Sequence, residues 1–489
     1  MFIAAIWVIG LPLGYLTSES IWPDEAFYAW HARQIAADPG HLASPELYEY
    51  HPPLFPLLLT PGVLAANDLS GFRFIVILLN LTGLIMIYQL GCKIRSRFLG
   101  TFCWIALAFN YVFLSQAGRI LIDGPLSVFM MAFMLAWFSW HDSGQIRHLI
   151  YALILASAIL FMKSSGVILI PVIICLSWLK KTDEQSPLIK RSRLWLPAMT
   201  ISVWFLTLLL RYAITGTFFF DLSALPGYYR IGPWWECVLN LKSMLMLNAL
   251  LPIFMLGLLL GLFMGDERMR AACIWFIVVF VTLSVVREKN LRYDMLFFPP
   301  ALLITGAALE TICNKIFQND ILNRIAKIVI LVLVLIIFIG DFPVTQRYIN
   351  NRYATFIGFS QAGKWVNDNI RKQTLFICES LRVMRYYMVR NIKQPPGEFI
   401  VLPDSQAEFE SLLASETGPC MLELDFWGNI EKFQWLLRLK PSILAYLKQH
   451  GFELSHVVSG PVRYRGGRII EQPLVWLFSR PGESKETLP

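Results

Sequence analysis

Long apolar blocks recur along the chain as far as residue 341, at roughly 1–17, 72–90, 99–116, 124–140, 149–162, 166–179, 195–212, 243–264, 271–286, 294–312 and 327–341. Most are long enough to cross, as helices, the ~30 Å hydrocarbon core of a bilayer. Of the 489 residues, 56% are hydrophobic and 16% are charged, whereas a soluble domain carries about 25% charged residues. No soluble surface could hide that much apolar area, and mean hydropathy is +0.55. The chain reads as a polytopic α-helical membrane protein with about 11 transmembrane helices. The net charge of +8 is spread along the sequence and forms no basic stripe, which argues against a nucleic-acid partner. None of the eight cysteines forms a C-x-x-C pair. Six lie in or beside apolar segments as packing residues, and Cys378 and Cys420 fall in a polar region where a disulfide is compatible but unforced.

Charge sets the expected topology. The first run has no basic region and no small-residue cleavage site ahead of Glu19, so it reads as a retained helix. Lys163-Ser164-Ser165-Gly166 splits 149–179 into two short runs. One long span there would put Lys180, Lys181, Lys190, Arg191 and Arg193 across the membrane from Lys93, Arg95 and Arg97. Two spans put both groups on the cytoplasmic side with Arg147, Arg268, Arg270, Lys315, Arg324 and Lys327, as the positive-inside rule asks. Two spans are therefore expected, in an integral multi-pass protein of the plasma or inner membrane. The transmembrane domain is 1–341, and the segment 342–489 is an extracytoplasmic domain. That tail has mixed charge and short alternating segments. Strands are expected at 374–378, 399–402, 421–424 and 474–478, and helices at about 379–390, 404–414 and 440–450, which predicts a small α/β domain. No Gly-rich phosphate loop opens its helices.

In this topology the outer face carries loops 18–71 and 213–242 and short turns at 117–123, 163–165 and 287–293. The first loop places Asp24 and Glu25 at a helix start, where the dipole favours a carboxylate. Asp24 is either a simple N-cap or a reactive group. Arg119 and Asp123 are spaced as one helical turn at a membrane boundary, which suits an ion pair closing a helix or a site. Lys163 between two short spans is costly unless it meets an anion. Arg287, Lys289 and Arg292 precede Tyr293-Asp294 and suit either solvated and headgroup contact or a bound phosphate. Carboxylates and cations on one face suit transfer from a lipid-linked phosphate donor to a hydroxyl or amine. A carboxylate removes the acceptor proton, and cations hold the phosphate as it leaves.

At these residues the sequence resembles the GT-C membrane glycosyltransferases of the dolichyl-phosphate-mannose protein mannosyltransferase superfamily, whose bacterial relatives include the aminoarabinose transferases. The resemblance rests on Asp24, Glu25 and Tyr28, then His51-Pro52-Pro53-Leu54. It continues through Arg119 to Asp123, Lys163 with Gly166, and Arg292-Tyr293 with Pro299-Pro300, covering about residues 1–312. It implies a GT-C fold, a polyprenyl-phosphate-sugar donor and inversion at the sugar carbon, with a protein, lipid or glycan as acceptor. It implies Asp24 as the base, Glu25 as its support and Asp123 as a second acid. Lys163 and Arg292 would hold the donor phosphate, with Tyr28, His51, Arg119 and Tyr293 also at the donor. The chain departs from the aminoarabinose transferases at Phe27 and His51, where they carry basic residues, so the lipid A acceptor and aminoarabinose donor are not carried over. His51 is either cationic beside a phosphate or a neutral donor fixing its loop. A divalent metal between Asp24 and Asp123 is compatible with the two acids, although no His or Cys spacing supports one. The competing readings are a lipid or glycan flippase, which internal repeats would favour and this chain lacks, and a non-catalytic assembly subunit.

Overall fold

The computed structural model describes residues 16, 18, 20–48, 51–66, 69–179, 187–218, 235–245, 250–285, 292–340, 343, 346–347, 356–370, 374–388, 397–403, 405–427, 443–463 and 469–481. The first apolar run up to residue 15, Glu49, Tyr50, Lys180, Lys181, Arg287, Lys289, most of the loop 213–242 and the side chains of Lys190, Arg191 and Arg193 lie outside this description. The chain forms two compact units, one of Met1–Leu16 with Asp38–Tyr348 and one of Thr17–Ala37 with Ile349–Pro489.

The first unit is helical. Each apolar run from residue 72 onward falls on one or more helices. Among the described residues, three helices are long and apolar enough to cross a membrane: Leu69–Ile94, Leu194–Thr215 and Glu267–Val285. A fourth candidate is the pair Arg97–Ala108 and Tyr111–Ala117, bent by 64°. The bend has a local cause, because the Asn110 side chain accepts from the Val112 and Phe113 N–H groups and starts a new helix. The expected break at 163 is present. Helix Ile146–Met162 stops at Lys163, which is extended, and a 3-10 turn Ser164–Ile168 leads into Leu169–Ser177. Helix Asp320–Gly340 leaves Ile321, Ile325, Ile328, Val332 and Ile336 each at least 48% exposed, an apolar surface suited to lipid.

The second unit is an α/β domain whose sheet runs β2-β1-β3-β5-β4. Strands β1 (Leu375–Cys378), β2 (Phe399–Val401) and β3 (Cys420–Asp425) are parallel, joined through helices Leu381–Met388 and Gln406–Ser415. Strand β5 (Ile469–Arg480) pairs antiparallel with β3 and with β4 (Glu453–Arg463). One sheet face packs Leu375, Ile377, Leu422 and Leu424 with Phe409, Leu413 and Leu447 from helices Gln406–Ser415 and Ile443–Gln449. Helix Pro23–Ala37, from the other end of the sequence, belongs to this unit and packs on Leu381–Met388. The register leaves the two polar-region cysteines free, because Cys420 lies beside Leu375. Cys378 is thus three residues further along, about 10 Å at strand spacing, beyond the ~7 Å reach of a disulfide.

Three acids close the end of the parallel strands. The Glu423 carboxylate accepts from Ser380 N–H (3.1 Å) and that of Glu379 from Asp425 N–H (2.9 Å). Burial, then the neighbouring Asp425, pushes Glu379 up to about 8. Burial, then Asp425 and Glu379, holds Glu423 well above the usual carboxylate range. An unfolded glutamate releases its proton near ~4.3, so the folded unit binds more protons through the neutral range and loses stability as pH rises. In thermal unfolding of the full chain in detergent, the transition of this unit should fall steadily between about pH 5 and 8, with Glu379→Gln flattening the slope. A transition that does not move over that range rejects the assignment.

Candidate active site

Asp123 is the first residue of helix Asp123–Ser143 and is 2% exposed. Lys163 Nζ lies 2.5 Å from its Oδ1, and Arg292 Nε lies 3.5 Å from its Oδ2. The Tyr293 ring floors both cations, 4.6 Å from Lys163 Nζ and 5.1 Å from the Arg292 guanidinium. Arg292 also donates to the Tyr293 hydroxyl at 3.2 Å. His51 lies within electrostatic range of the same carboxylate. Two cations thus converge on one buried carboxylate, the residue types that also hold a phosphate.

Each partner is held by its own local structure. Lys163 sits where helix Ile146–Met162 ends, and its carbonyl accepts from Gly166 N–H at 2.8 Å. A Cβ on Gly166 would lie 2.4 Å from the Ile159 carbonyl oxygen, so this tight break requires glycine. Arg292 leads into the 3-10 turn Tyr293–Leu296, which is tied to the Asp123 helix by Ser127 Oγ donating to the Met295 carbonyl (2.8 Å). Asn240 donates to Asp294 in the same turn at 2.6 Å. Asn80 donates to the Ala117 carbonyl at 3.1 Å, and a Cβ on Gly124 would lie 2.5 Å from Asn80 Oδ1. The bend before Asp123 is thus pinned from Leu69–Ile94. Arg211 donates to the Tyr48 carbonyl just ahead of the His51 loop.

Arg119 is buried in the bend before the helix, not within a shared helical turn with Asp123 as the spacing suggested. Asn80, Ser127 and Arg211 escaped the sequence reading. The one signal for Asn80 was a carboxamide in the middle of an apolar run.

In the other unit, Asp24 lies in the first turn of Pro23–Ala37, with Arg382 Nη1 3.8 Å from its Oδ1. The Glu25 carboxylate accepts from Trp22 N–H at 3.1 Å. That is the reach-back half of a capping box, so Glu25 is the residue that closes this helix start. Tyr28 is buried, its ring edge-on to Phe27.

Among the described residues no three His, Cys, Asp or Glu side chains group as a metal site. Asp123 already faces Lys163 and Arg292, a donor set that does not fit a divalent ion.

No protein-family model and no curated protein sequence matches the chain. Solved structures do. The ArnT protein of Cupriavidus metallidurans bound to undecaprenyl phosphate aligns over 97% of this chain and 97% of its own, with a TM-score of 0.62 and 15% identity. The Archaeoglobus fulgidus oligosaccharyltransferase AglB, in complex with an inhibitory peptide and a dolichol-phosphate, aligns over 96% of this chain and 75% of its own, with a TM-score of 0.58 and 10% identity. The arabinofuranosyltransferase AftD from Mycobacteria aligns over 98% of this chain and 40% of its own, with a TM-score of 0.50 and 13% identity. The chain therefore has a GT-C-like fold and includes a sheet domain as well as apolar helices.

Proposed function

We propose that the protein is an inverting glycosyltransferase that moves a hexosyl or pentosyl group from a polyprenyl-phosphate donor to a protein, lipid or glycan acceptor at the outer face of the membrane. The observation that carries this reading is the buried Asp123–Lys163–Arg292 cluster, in a fold shared along its length with a protein solved with undecaprenyl phosphate. The donor phosphate is held by Lys163 and Arg292, while Asp123 keeps the two cations converged. The acceptor oxygen or nitrogen bonds to the sugar carbon from the side opposite the phosphate. The carbon–oxygen bond to phosphate breaks with its electron pair on the phosphate, and the acceptor proton passes to Asp24. Lipid phosphate is a competent leaving group once its charge is met, so no acid need protonate it.

The test is turnover. Purified protein should release undecaprenyl phosphate from at least one member of a panel of undecaprenyl-phosphate-linked sugars in the presence of membrane extract, with the sugar appearing on an acceptor by mass spectrometry. Translocation of the lipid-linked sugars in liposomes without cleavage would replace this reading with a flippase.

The outer-face assignment draws support from a second polar layer. Asp142, near the far end of the Asp123 helix, meets Lys93 at 2.7 Å and Arg268 at 2.9 Å. Glu310 meets Arg95 at 3.3 Å and Lys327 at 3.5 Å. Nineteen helical steps separate Asp123 from Asp142, about 30 Å of rise and so about one hydrocarbon thickness. Basic residues dominate that second layer, as expected of a cytoplasmic face. In a cysteine-free background, Lys448→Cys in the tail should react with an impermeant thiol reagent in intact cells. Reaction only after permeabilisation would put the tail inside and remove the proposed geometry.

A further inference from the structure

Asp24, Phe27, Trp30 and Arg33 recur every third residue along helix Pro23–Ala37, and each meets helix Leu381–Met388 of the C-terminal domain. Arg382 lies 3.8 Å from the Asp24 carboxylate, with its guanidinium 5.3 Å from the Phe27 ring centroid. Arg385 covers Trp30 at 3.8 Å. The charge roles then reverse, with Arg33 lying 4.3 Å over the Tyr386 ring. Arg382, Arg385 and Tyr386 share one face of their helix by i, i+3 and i+4 spacing. The opposite partners of that helix are fixed. Val383 and Met384 are buried, and Glu423 on β3 accepts the Ser380 N–H at the helix start. One rigid helix therefore sets both the height and the rotation of the other.

We propose that Arg382 is a positioning residue for Asp24, and that the C-terminal domain serves the transfer reaction by presenting the Asp24 helix through the arginine face of Leu381–Met388. The proposal rests on the transferase reading above. Arg382 suits the task because its planar fork can face a carboxylate and lie on an aromatic ring at once, which a lysine cannot do equally well. Arg385 and Arg33 fix the rest of the helix, so Asp24 keeps its direction when an acceptor arrives. Neither Arg382 nor Arg385 touches the donor in this account.

The test uses the full-length protein in detergent, with the undecaprenyl-phosphate-linked sugar that the wild type turns over. Arg382→Ala should lower kcat about tenfold while leaving the donor KM within about twofold, since a carboxylate off its line loses rate and not donor affinity. Arg382→Lys should recover part of the rate. Hydrogen exchange supplies a readout independent of turnover. Amides of 23–37 should exchange faster in Arg382→Ala and faster still in the Arg382→Ala/Arg385→Ala protein, with β3 and β5 unchanged. Unaltered exchange in 23–37, or faster exchange with an unaltered kcat, overturns the proposal. A donor KM that rises as much as kcat falls also overturns it. A wild-type protein that turns over no donor defeats the transferase reading itself, an outcome separate from a working wild type with an indifferent Arg382 variant.

Discussion

Asp24→Asn should abolish sugar transfer while the purified variant still retains lipid-linked donor. The amide preserves the shape of the side chain but cannot take the proton that the acceptor loses as its bond to the sugar carbon forms. General-base catalysis usually contributes ~100-fold or more, so the loss should be at least of that order with donor and acceptor both saturating. Donor retention should survive because the proposed phosphate cations, Lys163 and Arg292, are other residues. Glu25→Gln should be milder. Its carboxylate accepts the Trp22 N–H, and an amide oxygen can still accept that bond, so the helix start remains closed. Asp24→Asn turnover within about tenfold of wild type would rule this residue out as the base.

The second large effect is expected at the cations. Lys163→Ala should raise the donor KM by roughly tenfold to a hundredfold, the range that one charge-assisted hydrogen bond supplies. Arg292→Ala should act in the same direction. Lys163→Arg should be tolerated in part, because another cation can face the phosphate imperfectly. Stability gives an independent check. Lys163→Ala removes the 2.5 Å partner of a buried carboxylate but leaves Arg292 beside it, so the loss should fall below the about 3–5 kcal/mol that an uncompensated buried charge costs. Lys163→Ala/Asp123→Asn should recover only part of that loss, since the buried carboxylate is then neutral but Arg292 loses its ion pair, and it should not recover donor use. Well-folded alanine variants with normal donor kinetics would make these cations structural alone.

Much of the helical framework was legible because apolar runs declare themselves without partners. Details failed where a local polar group outweighed hydrophobicity. The run 99–116 reads as one span, but Asn110 caps a new helix inside it and bends the chain by 64°. Strand β4 escaped because Gly460 and Pro461 interrupt its alternation. The sheet order explains their presence, since β4 is an edge strand, where a residue without an N–H is tolerated. Conversely, β1 and β3 are buried along their length and read correctly as short apolar runs. For the site, residue types were readable and partners were not. Spacing joined Arg119 to Asp123, whereas the fold brings Lys163 and Arg292 to that carboxylate from two other helix junctions. Nothing in the local sequence of Asp24 announces Arg382. That contact depends on how a βα unit far along the chain places one helix, and pattern reasoning carries no such information.

Joining the first-loop helix to the far domain has a consequence for biosynthesis. Pro23–Ala37 leaves the ribosome more than three hundred residues before Leu381–Met388, the helix that it packs on. At about 5–20 residues per second, the interval is on the order of tens of seconds. Throughout it, Phe27 and Trp30 lack the Arg382 and Arg385 side chains that lie over their rings in the finished unit. Nascent chains arrested before residue 381 should therefore expose an aromatic helix to chaperones and proteases. Completion of translation, more than membrane insertion, then becomes the event that commits the Asp24 helix to its final place.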